Sequence, residues 1–141
     1  MNRAHAGVLA LVAAVTGGCV TPAPPDVTGT ATASQLETRV NQTRVYDTLD
    51  KPMTMRSVIA TLQDLGFVID NADVDLGTIT ATRLAKYTMR MTVTVQEKGE
   101  KQVSVRANAR IGEENISDAR TYQDFFTSLD KAMFLTQNKV D

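Results

Sequence analysis

Tryptophan is absent from this 141-residue chain, and histidine and cysteine occur once each, as His5 and Cys19. Beyond residue 19 there is neither a thiol nor an imidazole. Ser-His and Cys-His nucleophile systems are thereby excluded from the bulk of the chain, because each needs one of those groups. Zinc and haem sites built on His or Cys fall with them. A lone cysteine also forbids an intrachain disulfide, so the fold must rest on its packed core. Charge of one sign is lacking too. Fifteen Lys and Arg stand against sixteen Asp and Glu, for a net charge of −1, with the signs interspersed. No clustered basic footprint is visible, so nucleic acid is not an expected partner. Long apolar runs are missing as well. The stretch Gly7 to Val15 would reach only about 14 Å as a helix, against a hydrocarbon core of roughly 30 Å.

What is present at the start has the layout of a secretory signal. Arg3 supplies a positive charge, Gly7 to Val15 the apolar segment, and Gly17-Gly18 a small-residue approach to Cys19. The segment resembles the lipobox of bacterial lipoproteins, with Thr16 where that family usually carries Leu. The resemblance implies cleavage between Gly18 and Cys19, and alkylation of the Cys19 thiol by diacylglycerol. One acyl chain binds a bilayer only marginally, whereas two or more anchor stably. Val20, rather than Asp, follows the cysteine. By the same resemblance this favours the outer membrane, with the domain facing the periplasm. Residues 1–18 are thus read as the signal peptide and 19–37 as the lipidated cysteine and a flexible tether. From Val20 to Ser34 the tether carries three prolines, many threonines and no aromatic residue, too little to bury a periodic face.

Residues 38–141 are expected to form one α+β domain. Thr38–Tyr46 reads as an extended segment, and Asp50-Lys51-Pro52 as punctuation. A helix is predicted over Thr54–Leu65, with Val58, Ile59, Leu62 and Leu65 as its stripe and Gly66 as its stop. Phe67–Asp70 reads as a buried strand, Asn71–Asp75 as a turn, and Leu76–Arg83 as the next strand. Tyr87–Gln96 and Gln102–Ile111 alternate cleanly around a Gly99 turn, which predicts a hairpin. A last helix over Asp118–Leu135 places Tyr122, Phe125, Phe126, Leu129 and Met133 on one stripe. The order β-α-β-β-β-β-α implies a two-layer sandwich: an antiparallel meander sheet with two helices on one face. This order resembles the helix-grip or TBP-like domains of BamC, a lipoprotein of the outer-membrane assembly machinery. Wording such as Thr61-Leu62-Gln63-Asp64-Leu65-Gly66-Phe67 and Leu76-Gly77-Thr78 is similar to that of short bacterial outer-membrane lipoproteins. These stretches read as a helix end and a strand start, and they bring no catalytic residue.

Three clusters invite a functional reading. Asp70, Asn71, Asp73 and Asp75 suggest calcium, but an EF-hand counted from Asn71 would need Gly at position 76 and Glu at 82, where Leu76 and Thr82 stand. A polar turn is the plainer reading. Glu113, Glu114 and Asp118 fit the dipole of the following helix better than a catalytic pair, which needs two distinct environments in a cleft. The third cluster is the polar side of the predicted sheet. Arg90, Arg106 and Arg110 share it with Thr78, Thr80, Thr92, Thr94, Ser104 and Asn108. Such a face either serves solubility or binds phosphates, glycans or acidic peptide. The sequence thus predicts no catalytic residue, no metal and no cofactor. It predicts a non-enzymatic envelope lipoprotein, held in the membrane through Cys19 and acting as an accessory binding or assembly subunit for an envelope protein. A lipid- or glycan-binding module using Arg90, Arg106 and Arg110 is the second reading.

Overall fold

The structure, a computed structural model, describes residues 32–138. The signal segment, Gly18 and Cys19 at its cut, and the tether up to residue 31 lie outside those residues. The described elements are α1 (Ala33–Gln42), β1 (Thr43–Tyr46), α2 (Lys51–Asp64), β2 (Val68–Asp73), β3 (Thr78–Leu84), β4 (Thr88–Lys98), β5 (Gln102–Ile111), the two-residue β6 (Glu114–Asn115) and α3 (Ala119–Gln137). All strand pairs are antiparallel, in the order β1-β5-β4-β3-β2, with β6 added to β5. The buried sides of α2 and α3 join one face of the sheet in a single core. The architecture is an α+β sandwich of two layers.

α3 supplies the largest core side chains. Tyr122, Phe125, Phe126, Leu129 and Met133 are all at most 2% exposed, as their i, i+3, i+4 spacing requires. The Phe125 and Phe126 rings meet edge to face at 5.0 Å. Asp118 caps this helix by accepting from the Thr121 amide at 3.2 Å. α2 begins earlier than its apolar stripe suggests. Asp50 is its cap, accepting from the Met53 amide at 2.7 Å, and Pro52 lies in the first turn, where no amide hydrogen is missed. Thr54, the first residue of the predicted helix, is instead buried within it and bonds the Asp50 carbonyl. The helix ends in a Schellman motif: Gly66, at φ 83°, donates to Gln63 and Phe67 donates to Leu62, each at 2.9 Å. Gly77 is equally constrained. At φ 68° a Cβ would lie 2.1 Å from the Val95 carbonyl oxygen, whose strand donates back to Gly77 at 2.7 Å.

The structure corrects several expectations. Residues 38–42, read as extended, are helical, and so are 33–37, read as the end of the tether. α1 buries only Gln42, so it leaves no apolar stripe to detect. Its start is a polar signal instead, in which the Gln35 side chain accepts from the Thr32 amide at 3.2 Å. β2 continues to Asp73, with an irregularity between Ile69 and Asn71, and Val68 points outward and is exposed. Leu76, read as the start of a strand, lies in a turn and is exposed, and Phe134 of α3 is exposed as well, facing away from the core.

Candidate functional site

β4 and β5 pair without interruption from Met89 and Ile111 to Lys98 and Gln102. Strand alternation then sorts every residue to one side. Met91, Val93, Val95, Val103, Val105, Ala107 and Ala109 go inward and are 0–1% exposed. On the outer side Arg90 stands directly opposite Arg110, Thr92 opposite Asn108, Thr94 opposite Arg106, and Gln96 opposite Ser104. β3 extends the same surface with Thr82, Thr80 and Thr78 beside Arg90, Thr92 and Thr94. The arginines and small polar residues that the sequence assigned to one surface do share it.

The surface is concave. A depression of about 440 Å³ is lined by Arg90, Thr92, Thr94, Arg106, Asn108, Arg110 and Asn115. No apolar side chain and no carboxylate is among them. Among the described residues, the ion pair formed is Arg44 with Asp130, and none involves the three arginines. Two like charges directly opposite on neighbouring strands are destabilising. Arg90 and Arg110 are held in that position by the register, and among the described residues neither is ion-paired; an acidic group on this face, Asp70, is engaged by the Thr82 hydroxyl beside Arg90.

A second depression of about 500 Å³ shares Arg106, Asn108 and Asn115 with the first. α1 forms its other wall through Ser34, Gln35, Thr38, Arg39 and Gln42. Sequence reasoning missed this wall because α1 was read as a strand and tether. The wall is fixed by one buried polar hub. The Tyr122 hydroxyl donates to the Ile116 carbonyl at 2.6 Å and accepts from the Ala109 amide at 3.2 Å and from Gln42 Nε2 at 3.0 Å. It fills the gap along β5 between β1, whose pairing ends at Arg106, and β6, whose pairing begins at Arg110. An unpaired buried amide there would cost about 1–3 kcal/mol, so the hub is also structural.

The other candidates resolve into local structure. Asp70 accepts from the Thr82 hydroxyl at 2.6 Å, and Asp73 from the Leu76 amide at 2.9 Å, which makes them strand and turn partners. Among the described residues, no group of three or more His, Cys, Asp or Glu side chains is placed to hold a metal ion. Glu113 and Glu114 are exposed, while Asp118 is engaged as the α3 cap. The Thr121 amide holds the Asp118 carboxyl below the usual aspartate range. Arg83 points inward, with its guanidinium 4.9 Å from the Phe67 ring centroid and 3.4 Å from the Leu65 carbonyl, where it neutralises the end of α2. At the opposite sheet edge Tyr46 donates to Asp130 at 2.8 Å, and burial followed by that bond pushes its hydroxyl pKa far up. No protein-family model matches this chain, and no curated protein matches its sequence.

Proposed function

We propose that the chain is a membrane-anchored envelope lipoprotein whose domain is a non-enzymatic binding module. In this reading, the outer face of β3, β4 and β5 holds an anionic group of another envelope component. The observation that carries it is the set of arginines, Arg90, Arg106 and Arg110, converging on one concave face with no carboxylate among its lining residues. A face kept for solubility alone gains more from mixed charges, and directly opposed arginines detract from stability. A bound anion offsets that repulsion with charge-assisted hydrogen bonds. Thr92, Thr94, Asn108 and Asn115 add donors and acceptors around the cations.

The anchor belongs to the same proposal. Among the described residues, no helix is long and apolar enough to cross a membrane. In this reading attachment rests on Cys19 and its acyl chains, and Gly18–Cys19 is the proposed cut. Cys19→Ser with the signal processed is expected to move the protein from the membrane fraction to the soluble fraction. The binding face is tested by thermal unfolding of the full chain with and without inorganic pyrophosphate. A ligand that binds the folded state raises the transition temperature. The wild type is expected to shift, and the combined Arg90→Gln, Arg106→Gln, Arg110→Gln variant is expected not to. Equal shifts in both would remove the face from the proposal.

A further inference from the structure

The site is longer than the sheet face alone, and its cations are unevenly spaced. Arg90 and Arg110 sit across from each other, about 5 Å apart at the backbone. Arg106 lies four residues from Arg110 on the same strand, about 13 Å away at the antiparallel rise. Side chains stand roughly perpendicular to a sheet, so one carboxylate or phosphate does not engage both positions. The two depressions join through Arg106, Asn108 and Asn115, and Arg39 of α1 faces the second. The result is a trough with a twin-arginine subsite at one end, a single arginine midway and a fourth across the α1 wall.

We infer that this trough takes a linear anionic glycan, with acidic groups along it bridging the Arg90–Arg110 subsite and Arg106. The inference rests on the anion-binding reading above and specifies its ligand. Two features select the class. No apolar side chain lines the first depression and only Ile116 lines the second, so an acyl chain finds no bed. Between the cations lie Thr92 and Asn108, with Thr94 beside Arg106, hydroxyls and an amide that both donate and accept, which suits a chain rich in hydroxyl groups. Arg39 engages only a ligand long enough to pass Arg106.

The test is a calorimetric titration of the full chain with oligogalacturonates of increasing length, from the monomer upward. Affinity is expected to rise by on the order of 100-fold as both subsites are spanned, and to level off only once the probe is long enough to reach Arg39. Arg106→Gln is expected to abolish that rise while leaving binding of the monomer intact. Arg39→Gln is expected to weaken only the longest probes, on the order of tenfold. All of these side chains are exposed, so the variants keep the core. Equal affinity at every length, unaffected by Arg106→Gln, overturns the two-subsite inference and leaves the anion reading standing. Linear polyphosphate that binds as tightly as the glycan of matched length overturns the glycan assignment alone. Binding of neither probe defeats the anion reading as well.

Discussion

Along β4 and β5, neighbouring residues on one backbone meet opposite fates. Met91, Val93 and Val95 are at most 1% exposed and sealed under α2 and α3, while Arg90, Thr92 and Thr94 border an uncovered trough. The inner face is complementary to something already present in the chain. Among the described residues the outer face's arginines have no ion-pair partner, and two of them stand in mutual repulsion. The lack of an ion-pair partner among the described residues is the physical basis for proposing this face as a binding surface. The inner face accounts for stability, and the outer face gives up a little of it.

The comparison can be broken most forcefully from the inside. Phe125 is fully buried, and Phe125→Ala is expected to cost about 3–5 kcal/mol in urea unfolding, through lost transfer energy and a residual cavity. A cost below about 1 kcal/mol would mean that α3 is not the centre of the core. Tyr122→Phe tests the junction between the two sides. It removes a hydroxyl that serves Gln42, the Ala109 amide and the Ile116 carbonyl, so a loss of about 1–3 kcal/mol is expected. Amide exchange in α1 should accelerate in the same variant, because Gln42 is the only residue that α1 buries. If exchange in α1 is unchanged, the trough wall is held by something other than this hub.

On the outer face the sign is expected to reverse. Arg90→Gln relieves a like-charge pair and should stabilise the unliganded protein by about 0.2–1 kcal/mol, while weakening anion binding. A loss of stability would mean that Arg90 contributes to the fold. The smallest effect concerns pH. The carboxyl of Asp118 is held below the usual aspartate range by its helix-cap bond. Its contribution to stability is therefore complete above the unfolded value, near 3.9, and is lost as pH falls through the lower folded value. Asp118→Asn should flatten that part of an acid unfolding curve and lower stability slightly and uniformly across the neutral region, where the ionised cap contributes in full.

Much of this molecule was legible in the sequence because its signals are periodic. The two-residue alternation of 88–98 and 102–111 fixed both faces of the hairpin, including the side on which Arg90, Arg106 and Arg110 emerge. The helical spacing of Tyr122, Phe125 and Phe126 predicted what α3 buries. What escaped has no period. α1 is exposed except for Gln42, and its marks are Thr32 with Gln35 at its start and Ser34 accepting from Thr38 at 2.8 Å. Arg39 and Asn115 were missed with it, since a trough wall becomes visible only after the chain has turned back across the sheet. Val68 misled for a related reason: in an edge strand beside an irregular register, an apolar residue is not obliged to face inward.

The claim that the outer sheet face is the working surface is tested most directly by amide chemical-shift mapping of the full chain during titration with inorganic pyrophosphate. The account predicts shifts concentrated at Arg90, Thr92, Thr94, Arg106, Asn108 and Arg110, with α2 and α3 silent. Saturable shifts centred on any other surface, or none at this one, would contradict it.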